Sequence, residues 1–399
     1  MSAPWLDVIG VGANGLPSLS SVAMSALDNA DVIYAGPRLH RLTAGYKAER
    51  VSWPSPFDAM VESLKSRSGQ KVVVLATGDP LWYSIGARLG REIDPAQIVY
   101  HPQLSGFQFA AARMGWSLAD VETLTVHGRA PEQVIPFFQP FARLLVFPWD
   151  QETPSIIAGF LKDRGFSESK ITALSDLGSD NEMRFEGTAT NPPQGAPRFH
   201  VLAVECLAGQ SATILTRGAG LPDDVFQGDG TMTKREIRAA TLAKLVPQRG
   251  AHLWDIGCGC GSVAVEWMRA ERDTTAEGVE PRDDRRAFAR ANALALGTPK
   301  LSLRNGYAPD CLKDLRKPDA VFIGGGLSED VFDYAWAALP QHGRLVANAV
   351  TLGSEAILRE LYFKHGGELA RISVERAEPV GRLSGWRPAM TVTQWSLTK

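Results

Sequence analysis

The chain has 399 residues, a formal net charge of −2 and four cysteines, which predicts two or three domains and argues against a general nucleic-acid binder. Without a CxxC pair or HExxH spacing, the cysteines and histidines favour neither a disulfide scaffold nor a zinc site, and we expect no metal. No apolar run approaches ~20 residues and the N-terminus lacks a signal-peptide pattern, so we expect a cytoplasmic enzyme or binding protein without a membrane partner.

The N-terminal half alternates short apolar segments with helical patterns, which predicts an α/β fold. Helical patterns cover residues 19–30 and 153–165. The predicted strands are 5–10, 31–36, 71–77, 97–101, 143–148, 170–177 and 199–206. An aperiodic connection rich in Gly, Ser, Thr and Pro begins at 207, so we place a boundary near residue 208 and predict domains 1–208 and 209–399.

The C-terminal half alternates more regularly. The predicted strands are 251–257, 275–281, 300–306, 319–325, 343–350, 370–378 and 388–397. Helical segments separate the first five, whereas none separates the last two. The expected architecture is therefore a seven-stranded, mostly parallel sheet that ends in an antiparallel pair.

The most informative stretch is LWDIGCGCGSVAVEW, residues 253–267. A turn from a strand into a helix offers backbone N–H groups and the positive end of the helix dipole to a ligand. The glycines follow a GxGxG pattern, in which Gly261 arrives one residue too early for a nicotinamide GxGxxG fingerprint. Glu280 ends the next predicted strand, where it can accept hydrogen bonds from both hydroxyls of a ribose. Asp255 can order the loop or meet a ligand amine.

Together with NGYAPD (305–310) and PDAVFIGGG (318–326), this loop resembles the motif series of class I, seven-stranded S-adenosylmethionine methyltransferases. TMTKREIR (231–238) and ANAVTLGSE (347–355) narrow the resemblance to the decarboxylating half of the precorrin-6Y methyltransferase family. The resemblance implies cofactor contacts at Thr233, Gly257, Cys258, Gly259, Cys260, Gly261, Glu280 and Ala308. The alternatives are a tight turn without a ligand and a metal or redox role for the two cysteines.

Three motifs of the N-terminal half resemble the tetrapyrrole methylase family, an unrelated fold that also uses S-adenosylmethionine. They are VIGVGANGLPSLS (8–20), LATGDPLWYSIGARL (75–89) and HPQLSGFQFAAARMGW (101–116). The similarity is closest to the member that methylates carbon 5, and PQLSG departs from the family's P-x-I-S-S form at Leu104 and Gly106. The resemblance implies cofactor contacts at Gly10, Gly12, Gly78, Asp79, Ile85, Gly86, Ser105 and Gly106.

The two resemblances together imply a bifunctional enzyme of cobalamin biosynthesis with two S-adenosylmethionine sites, one per domain. The implied reaction converts precorrin-6B to precorrin-8 by methylation at carbons 5 and 15 and loss of the ring-C acetate carboxyl as carbon dioxide. Carbon-5 methylation is implied for the N-terminal domain, and carbon-15 methylation with decarboxylation for the C-terminal one. We also expect a homo-oligomer.

The carboxylates of such a substrate predict basic partners. The candidates are Arg129, Lys234, Arg235, Arg238, Arg382 and Arg387, with solvated surface charge as the alternative. Tyr307 and His127 are candidates for acid–base chemistry, with packing or surface roles as alternatives. Competing interpretations are a fused pair acting on another tetrapyrrole, an RNA or protein methyltransferase, and a non-catalytic cofactor sensor. The lack of a basic stripe and of an (N/D)PPY motif argues against the second of these.

Overall fold

A computed structural model describes residues 4–54 and 59–399. The chain divides into two compact units, and each is described by itself. The N-terminal unit comprises residues 1–129 with 140–212, and the C-terminal unit comprises 130–139 with 213–399. None of the helices formed by the described residues is long and apolar enough to cross a membrane.

The first sheet of the N-terminal unit has five parallel strands in the order β3-β2-β4-β1-β5. The strands are β1 Leu6–Val11, β2 Val32–Ala35, β3 Glu49–Ser52, β4 Val72–Thr77 and β5 Ile98–His101. The accompanying helices are α1 Ser21–Asp28, α2 Pro37–His40, α3 Ala59–Lys65, α4 Ile85–Glu92 and α5 Gly106–Met114. The central strand β4 is an unbroken apolar run up to its last residue, as expected of a parallel strand buried on both faces.

The second sheet of this unit follows the order β6-β7-β10-β8-β9, and only β6 and β7 are parallel within it. Its elements are β6 Glu122–Thr125, β7 Arg143–Phe147, α6 Thr153–Asp163, β8 Lys170–Ser175, β9 Met183–Thr188 and β10 His200–Glu205. The sequence predictions missed β3, β6 and β9. All three lie at sheet edges, and β3 and β9 are largely exposed, so they lack the apolar runs that reveal the buried strands.

The C-terminal unit contains the predicted seven-stranded sheet, in the order β13-β12-β11-β14-β15-β19-β16, with β19 antiparallel to both neighbours. Its strands are β11 His252–Ile256, β12 Thr275–Val279, β13 Ser302–Arg304, β14 Ala320–Ile323, β15 Arg344–Ala349, β16 Glu368–Ile372, β17 Glu375–Val380, β18 Leu383–Pro388 and β19 Val392–Thr398. Its helices are α7 Arg235–Leu245, α8 Ser262–Ala270, α9 Asp283–Ala295, α10 Glu329–Ala338 and α11 Leu352–His365. The single strand predicted over 370–378 is wrong, because β17 leaves the sheet and pairs with β18 as a separate ribbon.

The C-terminal sheet separates two apolar cores. Trp254, Phe332 and Trp395 belong to one core, and Leu253 and Trp267 to the other. The strand order reverses at β11: the chain adds β12 and β13 on one side of β11 and then crosses to the other side, where it adds β14 and β15. Ligands of open parallel sheets bind in the crevice beyond the carboxyl ends of the strands at such a reversal. The reversal therefore positions the candidate site of this unit.

Residues 130–139 are separated in the sequence from the rest of the C-terminal unit, yet they pack within it. Gln139 Nε2 donates to the backbone oxygen of Leu215 at 2.7 Å. The ring of Phe137 lies 4.6 Å from the guanidinium carbon of Arg217. At Gly297, an added Cβ would lie 2.4 Å from a ring carbon of Pro136. Nothing in the sequence pattern singled out this segment.

Candidate functional site

The glycine loop 257–261 joins β11 to α8 at the point where the strand order reverses. The N–H groups of Gly257 and Cys258 both donate to the backbone oxygen of Val279, at 2.9 and 3.0 Å. Gly261 N–H donates to the oxygen of Cys258 at 2.8 Å. These bonds fasten the loop to the end of β12 and fix its backbone for a ligand.

Two glycines of this loop meet different surroundings. Gly257 and Gly259 have φ of +69° and +55°, in the left-handed region that favours glycine. A Cβ at Gly257 would lie 2.8 Å from the backbone nitrogen of Gly325, whereas a Cβ at Gly259 would have no heavy atom of residues 4–54 or 59–399 within 4 Å. Gly257 therefore serves close backbone packing, and Gly259 is the open side of the loop.

Glu280 closes the loop from the end of β12. Its side chain is 3% exposed, and its two oxygens accept from Gly259 N–H at 3.1 Å and Arg282 N–H at 3.0 Å. Each carboxylate oxygen keeps a further lone pair for a ligand hydroxyl. Arg286, which the sequence analysis missed, donates to the backbone oxygen of Glu280 at 2.5 Å and to Asn305 Oδ1 at 3.0 Å. The signal for Arg286 is its position one turn into the helix that follows Glu280.

Asp255 is a buried carboxyl group beneath the loop. It is 1% exposed, and its Oδ2 accepts from Ala264 N–H at 3.0 Å. Its Oδ1 has no hydrogen-bond partner among the described residues. Burial, aided by the charge of Glu280, raises the pKa of Asp255 to about 7. An unpartnered buried acceptor next to an open loop fits a ligand that brings a donor or a positive charge.

Cys258 and Cys260 are free, buried cysteines. Burial raises the pKa of both thiols, which disfavours the reactive thiolate. At Gly278, an added Cβ would lie 2.8 Å from Cys258 Sγ, so this sulfur fills a tight space beside β12. In the part of the chain that the structure describes, no group of His, Cys, Asp and Glu side chains could hold a metal ion.

Arg238 lies where the sequence analysis did not expect it. It is fully buried, and its Nε donates to Glu266 Oε1 at 2.8 Å. Its Nη1 donates to Asp223 Oδ1 at 2.7 Å and to the backbone oxygen of Thr233 at 2.6 Å. The guanidinium is enclosed and holds the segment that carries Thr233, so it has no exposed surface for the predicted substrate contact.

The other candidates of the C-terminal unit lie nearer the surface. Lys234 and Arg235 stand at the start of α7, and Arg382 and Arg387 lie on the β17–β18 ribbon, where Arg387 pairs with Glu378 at 2.8 Å. Tyr307 is 77% exposed, and its neighbour Ala308 is half-buried against the apolar core. Their exposure leaves these side chains available to a ligand, and their roles stay predictions.

A cleft of about 570 Å³ opens in the N-terminal unit at the carboxyl ends of β1, β2 and β4. The predicted contact residues that line it are Gly12, Gly78, Ile85, Ser105 and Gly106. Gly10 and Gly86 serve close backbone contacts, since an added Cβ would lie 2.4 Å from the oxygen of Gly78 and of Pro80, respectively. The motifs quoted from three distant stretches of sequence thus shape one cleft.

Two polar side chains shape the loops of this cleft. Asp79 Oδ1 accepts from the N–H groups of Leu81 and Trp82 at 2.8 and 3.0 Å, which turns the TGDP loop. Ser105 caps the N-terminus of α5 and forms a capping box with Gln108. Asp79 therefore acts on the cleft through the backbone that it orders.

Two histidines also line the cleft. His127 is exposed and its ring centroid lies 5.3 Å from that of Trp149. His200 is 6% exposed, its Nδ1 lies 2.7 Å from the backbone oxygen of Pro197, and burial lowers its pKa. Sequence reasoning missed His200 because it opens an apolar strand. Arg129 is exposed, with its guanidinium 5.7 Å from the ring centroid of Tyr83 at the cleft.

Comparison with known proteins covers both units. Residues 6–193 match the family model Tetrapyrrole (Corrin/Porphyrin) Methylases, and residues 224–399 match the Precorrin methyltransferase domain. The chain is 42% identical to a precorrin-6Y C(5,15)-methyltransferase [decarboxylating] of Sinorhizobium, over 100% of this chain and 97% of that protein. It is 38% identical to the protein of the same name from Mycobacterium tuberculosis, over 98% and 99%. A solved C-terminal domain of precorrin-6Y C5,15-methyltransferase from Rhodobacter capsulatus is 45% identical, covering 46% of this chain and 100% of that one, with a TM-score of 0.44.

Proposed function

The chain belongs to the family of decarboxylating precorrin-6Y C(5,15)-methyltransferases, and on that premise we propose that it methylates a precorrin at carbons 5 and 15 and releases one carboxyl group as carbon dioxide. The proposed substrate is precorrin-6B and the proposed product precorrin-8, within cobalamin biosynthesis. The observation that carries the proposal is that one chain contains two glycine-loop sites, each at the carboxyl ends of parallel strands in a separate unit.

The residues of the C-terminal unit fit S-adenosylmethionine. The open side of Gly259 lets a ligand approach the backbone, and Glu280 keeps acceptor capacity for ribose hydroxyls. The unpartnered Asp255 Oδ1 adds an acceptor beneath the same loop. When bound, the cofactor supplies an electrophilic methyl group on a sulfonium. The chain's own task at this site is to hold and orient that group.

In the N-terminal unit, the cleft fits the second cofactor. Gly12 is the glycine with room beside it, because an added Cβ would have its nearest neighbours at 3.8 and 3.9 Å. Gly78 and Ser105 line the same part of the cleft. We therefore propose that each unit binds one molecule of S-adenosylmethionine.

Neither methylation needs a nucleophilic side chain, because the electron-rich macrocycle attacks the methyl group. The protein contributes positioning and the exclusion of water. Loss of carbon dioxide leaves electrons that the conjugated ring accepts. Carbon 15 adjoins ring C, where the carboxyl is lost, so one pocket can serve both events, and we assign them to the C-terminal unit. Carbon 5 lies across the macrocycle and is assigned to the N-terminal unit.

The test is incubation of variants with precorrin-6B and labelled S-adenosylmethionine, followed by mass analysis. Asp79→Ala, which disorders the turn of the N-terminal loop, should give a product that has lost carbon dioxide and gained one methyl group. Gly259→Leu, which fills the open side of the C-terminal loop, should stop carbon-15 methylation. Loss of decarboxylation in Asp79→Ala, with normal decarboxylation and carbon-15 methylation in Gly259→Leu, would reverse the assignment.

We further propose that fragments divided near residue 208 each bind S-adenosylmethionine, although the division separates residues 130–139 from the C-terminal unit in which they pack and should therefore lower the stability of both fragments. Calorimetry of both fragments against the intact chain tests this, and binding by the intact chain alone would contradict it. The expected homo-oligomer and the cytoplasmic location stay predictions. Light scattering on the purified chain tests the first of them.

A further inference from the structure

Two arginines line the N-terminal cleft together with its glycine loops. Arg38 lies on α2, which follows β2, and Arg198 precedes β10. Across residues 4–54 and 59–399, neither forms an ion pair with a carboxylate. Other arginines of this unit are paired, such as Arg113 with Glu182 at 2.7 Å. The cleft thus carries positive charge that the described part of the fold does not neutralise.

Arg38 is already oriented. Its Nη2 donates to Thr77 Oγ1 at 3.1 Å, and its guanidinium carbon lies 5.3 Å from the ring centroid of Phe199. A guanidinium has five N–H donors, so most of the donors of Arg38 remain available to a ligand. Thr77 is the last residue of β4 and directly precedes Gly78 of the glycine loop. A group bound at Arg38 is therefore tied to the part of the cleft where the cofactor is proposed to lie.

The remaining cleft surface suits a flat apolar ring with charged edges. Its aromatic members include Trp82, Tyr83, Phe147 and Trp149. Asp176 is another lining residue of the cleft, and like-charge repulsion from an acidic residue favours a pose that keeps substrate carboxylates at the arginines. Guanidinium groups bind carboxylates by paired, charge-assisted hydrogen bonds.

We propose that Arg38 and Arg198 bind a carboxylate side chain of the tetrapyrrole and so set which edge of the macrocycle faces the methyl donor of the N-terminal unit. This inference rests on the proposed function. The same carboxylate chemistry is present in the methionine portion of the cofactor, so the test separates the two ligands.

The experiment uses the full chain with Arg38→Ala, Arg198→Ala and the double variant. Arg113→Ala is the matched control, because it removes an arginine of the same unit that does not line the cleft. The KM of the tetrapyrrole in carbon-5 methylation should rise about 10-fold for each single variant, as expected for loss of a charged hydrogen bond. The calorimetric affinity for S-adenosylmethionine should stay at the wild-type value, and Arg38→Lys should retain part of the substrate binding.

Normal substrate KM in well-folded variants would overturn the inference. Weaker cofactor binding with an unchanged substrate KM would also overturn it, because the arginines would then serve the cofactor. Circular dichroism and thermal unfolding identify any variant that fails to fold. Absence of precorrin methylation by the wild-type chain would refute the proposed function itself, whereas active wild type with unaffected variants refutes the arginine site alone.

Discussion

The glycine loop serves both backbone packing, at Gly257, and ligand approach, at Gly259. Replacing each glycine by alanine separates these two roles. An alanine in the left-handed region costs about 1–2 kcal/mol at either position. At Gly257 the new Cβ would also meet the nitrogen, Cα and oxygen of Gly325 at 2.8–2.9 Å, and such overpacking adds about 1–3 kcal/mol. We therefore expect Gly257→Ala to lower the free energy of unfolding by ~2–5 kcal/mol and Gly259→Ala by ~1–2 kcal/mol.

Gly259→Ala should also weaken the binding of the cofactor. No described residue has a heavy atom within 4 Å of a Cβ placed there, so a methyl group obstructs the ligand rather than the fold. Urea unfolding of the cofactor-free chain measures the free energy of unfolding of each variant. Calorimetry with S-adenosylmethionine measures its cofactor affinity. Gly259→Ala should weaken binding at the C-terminal site by roughly 10-fold or more, the equivalent of ~1.4 kcal/mol. Equal losses of stability in the two variants, or wild-type affinity in Gly259→Ala, would refute this reasoning.

Three further predictions concern single side chains. Glu280→Ala should weaken cofactor binding at the C-terminal site by ~1.5–3 kcal/mol and leave the N-terminal site unchanged; calorimetry that shows no shift would remove Glu280 from the pocket. Arg238→Met removes the positive partner of the buried Glu266 carboxylate, which keeps only the N–H groups of Gly220 and Leu221 as donors, and should cost ~3–5 kcal/mol in urea unfolding. Arg113→Ala breaks an exposed pair and should cost much less; similar losses in both variants would contradict the structural role. His200 has its pKa lowered below 6.5 by burial, so the unfolded chain binds the proton more tightly, and stability should fall as pH drops through about 6.5 towards the lower native pKa. His200→Asn should flatten this acid limb, and an equally steep pH profile of unfolding would count against it.

The sequence predicted the buried strands well because burial on both faces leaves an unbroken apolar run, as in β4 and β14. Exposed strands lack that signature. The interval 370–378 shows the difference, since its alternating pattern fits a strand but does not reveal which partner the strand meets. The structure ends β16 at Ile372 and starts β17 at Glu375, and the latter pairs with β18 outside the main sheet.

The site residues also fall into two groups: those that a short motif reveals and those that only the folded structure brings to the site. Glycine loops and Glu280 follow local spacing, so motifs located them, although their ligand contacts remain predictions. Arg38 and His200 gain their surroundings from contacts that are distant in sequence, and no short pattern revealed them. Arg238 was a candidate because arginine pairs with substrate carboxylates, yet in the structure it pairs with the buried carboxylate of Glu266 on the following helix.

The placement of residues 130–139 has a consequence for the order of events during synthesis. Val134, Ile135 and Phe138 are buried within a unit whose other residues, 213–399, leave the ribosome last. The sheet that β6 and β7 join can form once residue 212 has emerged, whereas the contacts of Gln139 with Leu215 and of Pro136 with Gly297 cannot form until later. The nascent chain therefore passes through a stage with a water-exposed apolar patch, at which chaperone binding competes with aggregation. A translation stop in the following connection would leave that patch permanently uncovered.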